Sequence, residues 1–102
     1  MEKQKKGTVI QIIKIKSKLS EEEVMRVAME RAPQFEAIPG IIQKYYIRLG
    51  GPGEFGGVYI WDSIESLKAF KESELATSIA QAYQALEPPS VEVVDIIYQL
   101  RD

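Results

Sequence analysis

The chain has 102 residues, 45% of them hydrophobic and 27% charged, with a net charge of −2, enough for one compact α+β-sized domain spanning residues 1–102 and too little for two. Cysteine and histidine are both absent, which excludes disulfides, thiolate metal sites and histidine-based triads, and leaves Lys, Arg, Tyr, Trp, Asp, Glu and Ser to carry any chemistry. Six lysines against the single acid Glu2 fill the first eighteen residues, and the remainder is acidic. The lysine-rich tip from Glu2 to Lys6 reads as a solvated terminus, not a nucleic-acid arm. No small-residue cleavage site follows it, and no apolar run approaches the ~20 residues needed to cross a bilayer. A cytoplasmic protein that engages no membrane is expected.

Thr8 to Lys16 (TVIQIIKIK) is rich in β-branched residues and reads as the first strand. Val9, Gln11, Ile13 and Ile15 share one face and Ile10, Ile12 and Lys14 the other, so both faces need cover. Ser20 and Glu23 form a capping-box pattern that opens a helix, with Val24, Met25, Ala28, Met29 and Ala32 along its apolar face and Pro33 at its end. After Pro39-Gly40, Ile41 to Leu49 is the second strand. A glycine-rich loop then leads into the third, Gly56 to Asp62, and the two read as an antiparallel hairpin. Asp62 or Ser63 caps a second helical stretch, with Ile64, Leu67 and Phe70 inward and a break near Lys71 to Glu74. Its apolar face continues through Leu75, Ile79, Tyr83 and Leu86 until Pro88-Pro89. Val91 to Leu100 is the fourth strand.

The order βαββαβ predicts a ferredoxin-like α+β fold, a four-stranded antiparallel sheet with both helical segments on one face. The other face is left bare and largely apolar, which predicts a homodimer formed sheet to sheet.

The stretch Pro39-Gly40-Ile41-Ile42-Gln43-Lys44-Tyr45-Tyr46, followed by Glu54-Phe55-Gly56-Gly57-Val58-Tyr59-Ile60-Trp61, resembles the YdhR-like proteins of the dimeric α/β-barrel superfamily, the antibiotic-biosynthesis-type monooxygenases. The resemblance implies a cavity between sheet and helices in each subunit. It also implies oxygenation of a small aromatic, phenolic or quinol-like substrate without metal, flavin or haem. Such chemistry needs a base, a stacking wall and a dry pocket, because an electron-rich phenolate reduces dioxygen itself. With no histidine, the base falls to Asp95, Glu54, Lys44 or a tyrosinate.

Regular alternation puts Lys44, Tyr46 and Arg48 on one face of the second strand, where two cations and a phenol converge on an anionic or phenolic ligand. The same cations also suit a rim position or pairing with acids. Tyr59 and Trp61 share a face of the third strand and either wall an aromatic pocket or simply fill the core. Asp95, among Val93, Val94, Ile96 and Ile97, is either a base or the partner of a strand cation. Gln11 is a polar contact in the same sheet. Gly56-Gly57 marks a bulge or a close backbone approach, and no phosphate-loop motif accompanies the glycines. The RNA-binding variant of this fold fails because the first strand lacks an aromatic and the body is acidic. The competing reading is a non-catalytic small-molecule-binding or regulatory homodimer.

Overall fold

In the computed structural model, which describes residues 6–101, the elements are β1 (Val9–Lys16), α1 (Glu21–Glu36), β2 (Ile41–Arg48), β3 (Glu54–Trp61), α2 (Ile64–Lys71), α3 (Glu74–Thr77), α4 (Ile79–Ala82) and β4 (Ser90–Asp95). The expected lysine-rich tip lies outside these residues as far as Lys5. All strand pairs are antiparallel, in the order β2-β3-β1-β4. This is the ferredoxin-like sheet that the βαββαβ order predicts. Among the described residues no helix is long and apolar enough to cross a membrane.

The alternation in β1 sets the two faces. Val9, Gln11, Ile13 and Ile15 are buried beneath the helices, while Lys14 and Lys16 on the opposite face are exposed. On β3 the buried residues are Phe55, Gly57, Tyr59 and Trp61. Tyr59, Trp61 and Phe70 form the aromatic centre of the core, with ring centroids 5.3–6.2 Å apart. Trp61 is fully buried, and its indole Nε1–H donates to Gln11 Oε1 at 3.0 Å. A buried donor of this kind must be satisfied. We therefore expect Gln11→Leu to destabilise the fold by about 1–3 kcal/mol by orphaning the indole, read as a lower urea midpoint with unchanged slope.

Three expectations are corrected. Pro33 does not end the first helix: α1 runs one turn further to Glu36, with the Pro33 carbonyl accepting from Ala37 N–H at 3.2 Å. Proline removes only its own donor, and the extra turn delivers Phe35 into the core. The second helical stretch breaks into three short helices and stops at Ala82, well before the prolines. Gln84 takes φ 49°, Ala85 bridges to Ser17, and Leu86 donates its N–H to the Lys16 carbonyl, so the Leu86 side chain is exposed and no longer on a helix face. β4 ends at Asp95, not Leu100, because Asp95 lies opposite Val9, the first residue of β1; beyond it Ile96 N–H reaches back to the Thr8 carbonyl and the Gln99 side chain accepts from Gly7 N–H, with no further strand pairing among the described residues. Of the two readings of Gly56-Gly57 the close backbone approach holds, since a Cβ on Gly56 would stand 2.8 Å from the Ile13 carbonyl oxygen, while the bulge lies on β2 between Ile41 and Gln43. That bulge lets Ile41, opposite Trp61, and Lys44, opposite Tyr59, both face the helices.

The helix layer covers β2, β3 and β1 and leaves β4 exposed along its length. On the far side of the sheet Ile10, Ile12, Tyr45, Val58, Ile60 and Val94 form an apolar surface in register, with Tyr45 55% exposed.

Candidate functional site

A cavity of about 280 Å³ opens between the sheet and the helices. Ile13 and Ile15 of β1, Phe55, Gly57 and Tyr59 of β3, and Lys44, Tyr46 and Arg48 of β2 form its floor; Val24, Met25 and Ala28 of α1, Ile79 of α4 and Tyr83 close it. Its walls are mostly apolar, as small-molecule sites usually are, and its volume lies just below the usual range of about 300–1,000 Å³. A one- or two-ring molecule suits it.

Lys44 is the polar centre of this space. The bulge at Ile42 and the register with Tyr59 turn its side chain inward, where Nζ stands 3.3 Å from the Phe35 ring centroid, 4.4 Å from that of Tyr46 and 4.5 Å from that of Tyr59. The only ion pair among the described residues joins Arg48 to Glu21, so no carboxylate neutralises Lys44 there. Burial, reinforced by the Arg31 charge, pulls the Lys44 amine down to about 7. The ring faces favour the ammonium, and both protonation states are accessible near neutral pH.

Arg31 is held in place from the helical layer. Its guanidinium donates to the Leu75 carbonyl at 2.7 Å and to Ser78 Oγ at 3.3 Å, and its Nε is buried without a partner among the described residues. It lies over both the Phe35 and Tyr83 rings, so Arg31 and Lys44 share the Phe35 ring. Burial raises the Tyr46 and Tyr59 phenols and pushes Tyr83 up to about 12. All three remain protonated at neutral pH and can donate hydrogen bonds. The cavity thus offers one amine able to accept a proton and three phenols able to donate.

The residues singled out in the sequence separate into two groups. Lys44, Tyr46, Tyr59 and Arg48 meet at the cavity. Arg48 stands at its mouth, bonded to both Glu21 carboxylate oxygens at 2.6 and 2.7 Å, and each group stabilises the charge of the other. Trp61 and Gln11 lie outside the lining and satisfy each other in the core. Asp95 is exposed at the end of β4, also outside the lining, so it is not placed to act on a molecule held there. β4 ends at this residue, so the apolar Ile96 and Ile97 that follow it do not make it a mid-strand carboxylate. Glu54 likewise lies off the lining, its carboxylate accepting from Gly51 N–H at 3.2 Å. Phe35, Arg31 and Tyr83 were missed. Phe35 follows Pro33, a residue type that ordinarily ends a helix, and a cation such as Arg31 carries no local signal of pointing inward.

The chain has a ferredoxin-like α+β fold, with the cavity between its sheet and its helices. Among solved structures it is similar to NE2512 of Nitrosomonas europaea, a protein of unknown function, with TM-score 0.78 and 16% identity over 97% of this chain and 98% of that one. It is also similar to SnoaB, a cofactor-independent oxygenase from Streptomyces nogalater, with TM-score 0.73 and 14% identity over 95% of this chain and 100% of that one. A Caulobacter crescentus protein described as a candidate antibiotic biosynthesis monooxygenase aligns with TM-score 0.74 and 16% identity, over 92% and 93% of the two chains. No sequence-family model matches the chain, and no curated protein does.

Proposed function

We propose that the protein is a cofactor-independent monooxygenase acting on a small phenolic or quinol-like aromatic, with Lys44 as the base. The observation that carries this reading is the unpaired Lys44 amine inside an aromatic cavity, held near neutrality by burial and Arg31. A base poised close to ambient pH takes a phenol's proton most effectively. The phenolate so formed lies against Tyr46 and Tyr59, whose hydroxyls serve as donors to its oxygens, and the apolar walls keep water away from the reactive anion. The anion passes an electron to dioxygen, the radical pair joins at an activated ring or benzylic carbon, and loss of water leaves a quinone or ketone. One oxygen atom enters the product and the other leaves as water, with the substrate as the sole reductant. The fold shared with SnoaB supports the reading.

The test is oxygen uptake by metal-stripped protein with hydroquinones, naphthols and anthrone-like phenols. We expect uptake above background that falls in Tyr46→Phe and is unchanged in Asp95→Asn. Background uptake across the panel, together with quenching of Trp61 fluorescence by the same compounds, would instead identify a ligand-binding protein that performs no oxidation.

The apolar far face of the sheet supports a homodimer as the working form. It joins Ile10, Ile12, Val58 and Ile60 to the exposed Tyr45 and Val94, with Glu92 beside Ile12 and Gln43 beside Ile60, and an apolar patch of this kind often marks an interface. Light scattering should give about twice the 11.5 kDa chain mass, and Ile60→Glu should return it to the monomer value. A wild-type monomer at micromolar concentration contradicts the pairing.

A further inference from the structure

We propose that the Lys44 amine is also a carbonyl-trapping nucleophile, forming an imine with an aryl aldehyde or ketone seated in the cavity. Lysines become nucleophilic in two settings, desolvation in an apolar pocket and proximity to another cation. Lys44 has both. It borders the cavity alongside Tyr46, Gly57 and Tyr59, and it shares the Phe35 ring with the anchored guanidinium of Arg31. The charged or titratable groups around it are Arg31 from α1, Tyr46 from β2, Tyr59 from β3 and Tyr83 after α4, with Glu36 near Tyr46 and the Glu21–Arg48 pair at the mouth. None of those nearest the amine is a carboxylate that would hold it as an ammonium.

The step balances without any co-reactant. The amine lone pair attacks the carbonyl carbon to give a carbinolamine, the C–O bond then breaks, and one water leaves as the C=N bond forms. Both protons of the neutral amine end on the departing oxygen as water, and the neighbouring phenols, which stay protonated, can donate hydrogen bonds to that oxygen as it leaves. The aromatic walls hold the aryl group against the amine, which raises its effective concentration there. The imine requires the cavity and the amine but no dioxygen, so it stands or falls separately from the oxygenase reading.

The chain carries nine lysines, and the other eight are an internal control. The protein, at pH 7 and under argon, is treated with a slight excess of 2-naphthaldehyde and sodium cyanoborohydride, which fixes any imine as a secondary amine, and the adduct is located by peptide mass mapping. An amine at about 7 is half unprotonated at this pH, whereas an ordinary lysine near 10.4 is unprotonated in about one molecule in 2,500. We expect a single adduct on Lys44, formed at least about 100-fold faster than the average at the other lysines. It should be suppressed by 2-naphthalenemethanol, which has the same rings and no carbonyl, and be absent from Lys44→Arg with the far-UV spectrum retained. Label spread over the surface lysines without preference for Lys44 overturns the proposal. A Lys44 adduct that 2-naphthalenemethanol fails to suppress overturns it as well, because the carbonyl compound is then not seated in the cavity; this arm uses the wild-type chain and does not depend on any variant folding. Oxygen uptake measured in parallel keeps the two readings apart: uptake without a Lys44 adduct removes the imine alone, and an adduct without uptake removes the oxygenase alone.

Discussion

Replacing Lys44 with methionine should bring phenol-dependent oxygen uptake down by about 10²–10⁴-fold, the usual contribution of a positioned general base, while the chain becomes more resistant to urea. The two halves of this expectation have one cause. Lys44 is buried against Phe35, Tyr46 and Tyr59, and burial together with Arg31 lowers its amine to about 7, well below an unfolded lysine. The folded state therefore binds fewer protons than the unfolded state between about pH 7 and the unfolded value. By linkage, stability contributed at this site increases as pH rises through that window and is lowest at pH 7 and below, where the ammonium must be desolvated. Methionine fills similar space without charge and removes the penalty. Activity of the wild type should follow the neutral amine, rising with pH through about 7 and levelling off above it. A variant that loses both stability and uptake would show that Lys44 acts as a packing residue, and uptake that is flat between pH 6 and 8 would show that its proton is not the one transferred.

The second large effect is expected at Gly57. A Cβ built there would stand 3.0 Å from Tyr59 Cε1 and 3.3 Å from Lys44 Cε, closer than comfortable contact. Gly57 lies opposite Tyr46 on the helix side of the sheet, and its missing side chain is part of what makes room for a ligand between Lys44 and Tyr59. Valine at this position suits a strand, but its methyls project into the cavity and push the amine off the Phe35 ring. We expect Gly57→Val to weaken aryl-ligand affinity by at least about tenfold, with overpacking costing about 1–3 kcal/mol of stability. Fluorescence titration with a naphthol and a urea melt read the two effects. Gly56 also borders the cavity, but a Cβ there would meet the Ile13 carbonyl oxygen at 2.8 Å and Ile47, not Lys44 or Tyr59, so Gly56→Ala sets strain in the sheet against loss of the space between Lys44 and Tyr59. Unchanged affinity in Gly57→Val would mean that ligands do not use this part of the cavity.

Much of the fold was legible because local signals agreed with one another. The Ser20–Glu23 capping box forms as read, with reciprocal bonds of 3.2 and 3.0 Å, and the β-branched first strand and the glycine hairpin fix the topology. Gly40 takes φ +92° with Ser66 and Asp62 packed where a side chain would be, so Pro39-Gly40 punctuates the chain for a steric reason. The site was only half legible. Alternation grouped Lys44, Tyr46 and Arg48, and the grouping survived because the bulge lies upstream of all three. Alternation carries no information on which face is covered, however, nor on how far a neighbouring strand extends. Asp95 shows the second limit, since its environment depends on where β1 begins and not on its own flanking residues. Trp61 and Gln11 satisfy one another across 50 positions of sequence, a pairing that no local pattern reveals. Phe35 and Arg31 became visible only once α1 was seen to continue past Pro33 and the short helices to carry Leu75 and Ser78 over it.

The most direct test of the central claim, that Lys44 is a proton-accepting amine inside a ligand cavity, is an NMR titration of its side chain in protein labelled with ¹³C at lysine Cε. The titration is run between pH 5 and 11, with and without 2-naphthol under argon. The account predicts one lysine resonance with a midpoint near 7 that vanishes in Lys44→Met and moves upward when the naphthol is bound, because a phenolate beside it favours the ammonium. A Lys44 resonance titrating with the surface lysines near 10.4, and unmoved by naphthol, would contradict it.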